Sequence, residues 1–397
     1  MQETDVLVVG AGIMGLSIAR ELARRYSDCR ILIVEKEKEA AFHASGRNSG
    51  VLHAGFYYDS DSLKARFTVA GNQALTDYCL ENGLPINRCG KVVVACNPDE
   101  LEGLYELKRR GDRNGVKLEL IDTTELGQIE PNAFTYEHAL FSPTTATVNP
   151  KLVCRHIAAN YPPHVKISFA RQMVGLDKNI AITNRENIKF KYLFNAAGVY
   201  AVKIARLFNA GGAYQVLPFK GIYLAYDDPN LIRRHIYPVP NLKNPFLGVH
   251  FTKTVDQHVK IGPTAIPAMW FENYDFLSRF CWDEFCSIVG MQTQLFWHNS
   301  FNFRSLALAE IKKYYRPYFI GAGRRLVKDL DPARFSTYLT PGIRAQLLDT
   351  HRRELVMDFV VEHGHRSTHV LNSISPAFTT AFAFAAFIVD ASGPGIS

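Results

Sequence analysis

The sequence predicts an α/β protein in which a doubly wound, Rossmann-type domain is assembled from separated stretches and a second, α+β domain is built on a mostly antiparallel sheet. Three observations carry this prediction. Residues 5–35 pass from an apolar strand through a glycine turn and a helical stretch into a second apolar strand, which is a βαβ unit. A further apolar run, Tyr192-Leu193-Phe194, ends in the small residues Asn195-Ala196-Ala197-Gly198. From Tyr214 to Pro263 the chain is rich in β-branched and aromatic residues and is punctuated by Pro218, Pro229, Pro238, Pro240, Pro245 and Pro263, the pattern of short antiparallel strands joined by turns.

The elements follow in order. Asp5-Val6-Leu7-Val8-Val9 is the first strand, Gly15 to Tyr26 the helix, and Arg30-Ile31-Leu32-Ile33-Val34-Glu35 the second strand. A Gly/Ser/Asn-rich loop runs from Ala44 to Gly55. Helical periodicity then covers Leu63 to Asn82, and Asn82-Gly83 reads as a C-cap and turn. Residues 270–316 read as helical and aromatic. Residues 344–397 return to strand signals and close with an apolar helix opened by Ser375-Pro376, proline being tolerated at the first helical position. These segments place 1–85, 140–213 and 325–397 in the doubly wound domain, and 86–139 and 214–324 in the other.

Composition bounds the function. With 397 residues, 47% of them hydrophobic and 21% charged, the chain can enclose a core and a ligand, which excludes disordered and fibrous classes. The formal net charge of +7 suits acidic metabolites, anionic lipid or nucleic acid equally. The seven cysteines contain no C-x-x-C pair, so neither a disulfide framework nor a zinc site is indicated, and no metal is expected. A strand beginning at Asp5 leaves no room for a signal peptide, so a cytoplasmic location is expected. The longest apolar run, Ala377 to Val389, holds Thr379 and Thr380 and falls short of the ~18–20 residues of a bilayer span.

Gly10-Ala11-Gly12-Ile13-Met14-Gly15 is a G-x-G-x-x-G set between a strand and a helix, and Glu35 follows at the end of the second strand. Gly10 and Gly12 let backbone N–H groups approach a pyrophosphate at the helix N-terminus, Gly15 permits close helix–sheet packing, and Glu35 accepts ribose hydroxyls. The motif therefore predicts a bound dinucleotide. The long small-residue loop Ser45 to Gly55 and the strand ending at Ala197-Gly198 favour FAD over NAD.

Longer blocks extend this reading. They are Ser45 to Tyr58 (S-G-R-N-S-G-V-L-H-A-G-F-Y-Y), Ser62 to Ala65, Cys89-Gly90-Lys91, Pro218 to Tyr223, His235 to Pro240, Pro245 to Thr252 (P-F-L-G-V-H-F-T), Gly342-Ile343-Arg344-Ala345-Gln346 and Asn372 to Ala377. On these blocks, in order over nearly the whole chain, the sequence resembles the D-amino-acid-oxidase-like group of FAD oxidoreductases and, within it, the L-2-hydroxyglutarate dehydrogenase/oxidase family. It departs from that family at Gln257, where a glycine is usual, and residues 270–316 give no clear match.

The resemblance implies oxidation of a 2-hydroxy dicarboxylate to a 2-oxo acid, with electrons passing to a quinone-type acceptor or oxygen. Such chemistry needs a base for the hydroxyl proton, cations for the carboxylates and a hydride acceptor. His53 is the candidate base, because histidine titrates near neutrality and lies in the loop that the resemblance places beside the flavin. Arg344, flanked by Gly342 and Ala345, is the candidate for bidentate carboxylate binding. Lys220 and His250 are candidates for the second carboxylate or the hydroxyl, and Tyr237 for a supporting role. The implied cofactor contacts are Gly10, Gly12, Ile13, Met14, Gly15, Glu35, Lys36, Ser45, Asn48, Ser49, Gly50, Val51, Val174, Ala197, Gly198, Gly342 and Arg344. At the end of the chain Asn372, Pro376, Ala377, Phe378 and Thr379 join them, where a helix N-terminus would favour the reduced, anionic flavin.

Between 290 and 328 lie seven basic residues, Arg304, Lys312, Lys313, Arg316, Arg324, Arg325 and Lys328, against one acid, Glu310, interleaved with aromatics. This pattern suits either a solvated helical face or peripheral contact with an anionic membrane, on the inner face of the cell membrane, which would serve a quinone acceptor. No nucleic-acid recognition module accompanies the charge, so nucleic acid is not an expected partner. Two rivals share these residues. One is an amine or amino-acid oxidase of the sarcosine or glycine oxidase kind on the same scaffold, and the other is a flavoprotein scaffold that turns nothing over.

Overall fold

The apolar runs Gln2–Val9 and Ile31–Val34 become adjacent parallel strands, the second buried along its whole length, as a strand covered on both faces must be. In the computed structural model, which describes residues 1–242 and 246–392, they form the centre of a sheet in the order Met173–Asp177, Ile180–Thr183, Ile188–Asn195, Gln2–Val9, Ile31–Val34, Val165–Ser168. Ser367–Asn372 adds to this sheet in parallel beside the end of Ile188–Asn195, and Val360–Gly364 pairs antiparallel with it. One core is built from Leu7, Val9, Leu32, Val34, Ile188, Phe190 and Leu193. Elsewhere helix Ile13–Arg25 packs on helix Ala377–Ala391.

This first unit comprises Met1–Asn48, Pro150–Leu217 and Ala345–Ser397, and the second comprises Ser49–Asn149 and Pro218–Arg344. Residues 49–85, 140–149 and 325–344, expected with the doubly wound domain, fall in the second unit. The reason for the first two is pairing: Val51–Leu52 and Ile86–Asn87 both join Ala146–Val148, and Asn72 on helix Leu63–Glu81 donates to the Leu52 and His53 carbonyls. The third includes Phe335–Tyr338, an edge strand of the second unit's main sheet.

That sheet has the order Phe335–Tyr338, Leu224–Tyr226, Val259–Gly262, His250–Lys253, His235–Pro238, Lys91–Val94, His138–Ser142, Glu119–Asp122. It is mostly antiparallel, as expected, with one parallel pair between His235–Pro238 and Lys91–Val94. Val92, Val94, Ile236, Phe251, Val259, Ile261 and Leu224 share one apolar core with Phe319 and Ile320 of helix Arg316–Arg324. The aromatic stretch 270–316 is α-helical at Trp282–His298 and Phe303–Ile311, with short 3-10 helices at Ser300–Asn302 and Lys312–Tyr314 and helix Arg316–Arg324 opening at its end, but its first twelve residues are irregular apart from turns and bends. Pro376 is the N-cap of the last helix, not its first residue. Pro245, at the head of one of the resemblance blocks, and residues 393–397 of the last expected segment lie outside the described residues.

The junction between strand Gln2–Val9 and helix Ile13–Arg25 is the tightest point of the first unit. Gly10 has φ +105, and a Cβ there would sit 2.6 Å from the Ala196 carbonyl oxygen. A Cβ on Gly15 would overlap the Gly10 carbonyl oxygen. Gly15→Ala must therefore displace backbone, and we predict a loss of at least ~2 kcal/mol of stability, read as a lower urea midpoint at unchanged m-value.

Candidate active site

In the first unit the G-x-G-x-x-G segment forms a cradle at the N-terminus of helix Ile13–Arg25. The N-cap is Gly12, which has no side chain to close the helix end, and no acidic residue stands in the first turn. Ser45 fills part of this role from a distant loop, its Oγ accepting from the Ile13 N–H at 2.9 Å. Glu35 accepts from the Ala11 N–H at 2.8 Å and the Glu37 N–H at 2.9 Å. Burial pushes its pKa up, and these two bonds pull it down. The carboxylate thus fixes the turn itself, and its remaining lone pairs are left for ribose hydroxyls.

The other expected contacts of this unit are more varied. Ala197 and Gly198 follow strand Ile188–Asn195, whose end pairs Asn195 with Val9. Met14 and Ile13 are buried on the helix. Lys36 donates to Glu37 at 2.7 Å and lies 5.2 Å from the Tyr200 ring. The Asn48 amide is occupied in donating to the Ala44 and Ser45 carbonyls. Val174 stands on strand Met173–Asp177, three strands away from Gln2–Val9, with its side chain 56% exposed. Asn372 is fully buried, its amide tied to the Val356 and Asp358 carbonyls, while its Oδ1 has no hydrogen-bond partner among the described residues. Pro376, Ala377 and Thr379 are buried at the start of the last helix, and Phe378 is half-buried.

In the second unit the pleat of the main sheet sorts the side chains. Val92, Ile236, Phe251 and Ile261 face one core, so the alternate positions Lys91, His235, Tyr237, His250, Thr252 and Lys260 share the opposite face. Tyr237 and His250 are stacked, with ring centroids 3.6 Å apart and planes at 19°. His250 Nδ1 lies 2.9 Å from the Gly248 carbonyl, so Nδ1 carries the hydrogen and Nε2 keeps its lone pair. His235 is the other tautomer: Nδ1 accepts from the Lys253 N–H at 3.1 Å, leaving Nε2–H towards Cys89 Sγ at 3.4 Å.

His53 is buried in the loop beside this face, and its carbonyl accepts from Asn72. Burial pushes its pKa well below 6.5, and the positive charges of Lys91, His250 and His235 push the same way. Burial likewise lowers His250 to about 3. Both imidazoles are therefore neutral at physiological pH. Ser49 lies against the buried Tyr223 hydroxyl, and Gly50 and Val51 lead into the short strand Val51–Leu52.

Lys220 and Arg344 lie in the strands Tyr214–Gly221 and Gly342–Asp349, with Gly342 opening the second. Burial lowers the Lys220 pKa, and among the described residues Lys220 forms no ion pair. Burial lowers Arg344 to about 10, and its guanidinium lies 5.0 Å from the Phe246 ring, which in turn meets Phe219 edge-on at 4.8 Å. Tyr58 is close enough to act electrostatically on Arg344, Tyr57 and Tyr237, and so links the two groups.

Sequence reasoning missed Lys91 and Phe246. Lys91 heads the apolar run Lys91-Val92-Val93-Val94 and reads as a strand end whose ammonium reaches solvent, yet it is fully buried. The only signal was its place in the Cys89-Gly90-Lys91 block. The basic stretch is less free than it reads: Arg304 donates to the Phe296 and Trp297 carbonyls, Lys313 pairs with Glu310, and Arg316 donates to the Phe335 carbonyl.

The residues of the first unit fit an FAD pyrophosphate and ribose: a helix N-terminus without Cβ atoms at its entry, without acids in its first turn, and with a carboxylate at the adjacent strand end. Residues 5–391 match the family described as FAD dependent oxidoreductase. The chain is 33% identical to the mitochondrial L-2-hydroxyglutarate dehydrogenase of Nematostella vectensis, over 97% of this chain and 90% of that protein. Against the human mitochondrial protein of the same name the identity is 33%, over 97% and 88%. Against that of Escherichia coli K12 it is 32%, over 97% and 92%. In fold the chain is similar to the FAD-bound, dithionite-reduced L-alpha-glycerophosphate oxidase of Mycoplasma pneumoniae, with a TM-score of 0.76 at 22% identity over 98% of this chain and 94% of that one. Glycine oxidase from Geobacillus kaustophilus gives 0.69 at 15% identity, over 98% and 94%.

Replacing Glu35 by Ala leaves the buried Ala11 and Glu37 N–H groups without their acceptor. We predict a loss of roughly 2–4 kcal/mol, measured by urea denaturation, since each unsatisfied buried donor costs about 1–3 kcal/mol.

Proposed function

Because the chain belongs to the FAD dependent oxidoreductase family, and within it with the L-2-hydroxyglutarate dehydrogenases, FAD is its cofactor, and we propose that its substrate is L-2-hydroxyglutarate, oxidised to 2-oxoglutarate. The observation that carries the substrate is identity of 32–33% over 97% of the chain to proteins of that name in an animal and a bacterium.

The cradle of Gly10, Gly12, Gly15 and Glu35 holds the dinucleotide part of FAD, which when bound supplies the acceptor for the hydride on C2 of the substrate. The chain's own residues do the rest. Arg344, whose guanidinium lies over the Phe246 ring, pairs bidentately with one carboxylate, and the buried ammonium of Lys220 meets the other. His53 takes the proton of the C2 hydroxyl as the hydride leaves, so the C–H and O–H bonds break and a C=O bond forms. His250, its ring fixed by Gly248 and Tyr237, is close enough to His53 to act on it electrostatically and helps to set its charge state. Two electrons then pass to a quinone-type carrier or to oxygen.

The surface of 276–315 supports a quinone at a membrane. No helix among the described residues is long and apolar enough to cross one. Phe276 is 88% exposed, Trp297 73% and Tyr315 69%, and the exposed Lys312 lies three residues before Tyr315. Aromatic rings at the interface and cations for anionic headgroups make this a surface for peripheral contact.

Two predictions follow this reading. Anaerobic bleaching of the flavin absorbance by L-2-hydroxyglutarate and not by its D enantiomer is expected, with His53→Ala slowing it on the order of 10²–10⁴-fold at retained flavin. Bleaching by sarcosine or an amino acid but by no hydroxy acid would overturn the substrate. In flotation with vesicles, the holoenzyme should rise with phosphatidylglycerol-containing membranes and not with phosphatidylcholine alone, and Trp297→Ala should weaken this. Equal partitioning to neither membrane would remove the docking surface.

A further inference from the structure

Lys91 opens a buried strand of the second unit with none of its side chain exposed. Its Nζ has no hydrogen-bond partner and no ion pair among the described residues. Instead three rings surround it, with the nitrogen 4.6 Å from the centroid of Phe56, 4.5 Å from Tyr57 and 4.7 Å from Tyr237. An unpaired ammonium is among the costliest groups to bury, and ring faces are the one compensation offered here.

The three rings belong to different parts of the site. Phe56 and Tyr57 follow His53 in its loop, whose backbone is otherwise tied to helices, by Asn72 to the His53 carbonyl, by Arg110 to that of Tyr57 and by Asn114 to those of Gly55 and Tyr58. Tyr237 belongs to the sheet, where its ring stacks on His250. Lys91 itself sits in register with His235 on one neighbour strand and Ser142 on the other.

We propose that Lys91 is a positioning residue for the oxidation: its ammonium, clasped by Phe56, Tyr57 and Tyr237, holds the loop that carries His53 against the strands that carry Tyr237 and His250. This rests on the reaction proposed above for the roles of the two histidines, and on geometry alone for the clamp. The titratable groups facing Lys91 are His53 and Tyr57 from the loop, His235 and Tyr237 from one strand and His250 from the next. Burial pushes the amine down to about 7, and the rings favour its charged form. The clamp is thus present below that titration and is lost as pH rises through it.

A merely structural lysine and a positioning lysine predict different outcomes for Lys91→Met. Since a buried ion opposes folding, the substitution should leave the melting temperature of the holoenzyme unchanged or higher in either case. If Lys91 is a positioning residue, the wild-type rate is expected to fall above neutral pH, and the substitution is expected to slow flavin reduction by L-2-hydroxyglutarate by about tenfold or more, to abolish that alkaline fall, and to speed hydrogen exchange of the amides of 53–58. Wild-type rate, wild-type pH profile and unchanged exchange in that loop would overturn the proposal. Should the Met variant not fold, Lys91→Arg decides: it keeps its charge, so it must hold its rate where the wild type falls. An Arg variant that falls in step with the wild type sinks the clamp. The exchange measurement needs no substrate, so failure of L-2-hydroxyglutarate to bleach the wild type would overturn the substrate reading and leave the clamp to be judged on the loop.

Discussion

The strand pleat is the constraint on which the second unit's chemistry depends. Because side chains alternate strictly, a strand that gives Val92 and Val94 to one core must turn Lys91 and Val93 the other way, and the same holds for Ile236 against His235 and Tyr237. Four neighbouring strands obeying this rule at one register gather Lys91, His235, Tyr237, His250, Thr252 and Lys260 on a common face. A slip of one residue would bury these groups in the apolar core beneath helix Arg316–Arg324. The register that makes the core therefore also makes the polar face.

That face is dry, and dryness decides the charge states. Burial is the first cause for each of the three histidines, and all are lowered. Neighbouring Lys91 contributes in the same direction to every one of them. The result is a set of neutral imidazoles whose tautomers are assigned by single backbone contacts, Gly248 for His250 and Lys253 for His235. A base in this setting is available without waiting for solvent to remove its proton, and it gains strength when an anion binds nearby.

Much of this was legible in the sequence, and what was not has a physical reason. Local signals translated directly: the glycine turn, the two apolar strands, and helix Leu63–Glu81, which Ser62 caps through the Ala65 N–H. Long-range pairings did not. Nothing local announces that Lys91–Val94 runs parallel to His235–Pro238, or that Ser45 caps a helix at Ile13. The domain borders missed for the same reason, since Val51–Leu52 is claimed by a strand near residue 147 and not by its sequence neighbours. His53, His250, Tyr237, Lys220 and Arg344 were all candidates from residue type and block, but the stack of Tyr237 on His250 and the seat of Arg344 on Phe246 exist only in three dimensions.

The distribution of buried charge points to the kind of ligand this unit suits. Two buried glutamates of this unit use the carboxylate to hold backbone N–H groups: Glu130 accepts from Arg233 and Arg234, and Glu310 accepts from Ala265 while pairing with Lys313. Those negative charges are committed to turns and helices. Lys91 has no such counterpart among the described residues, Lys220 feels the charge of Asp275 without pairing with it, and the Arg344 guanidinium lies over an aromatic ring. Burying cations while committing the nearby anions elsewhere costs folding free energy, a cost that a bound anion offsets by restoring charge balance in a low-dielectric setting. A ligand with two carboxylates offsets it twice, whereas a zwitterionic amino acid brings a further cation to a unit that already buries Lys91, Lys220 and Arg344.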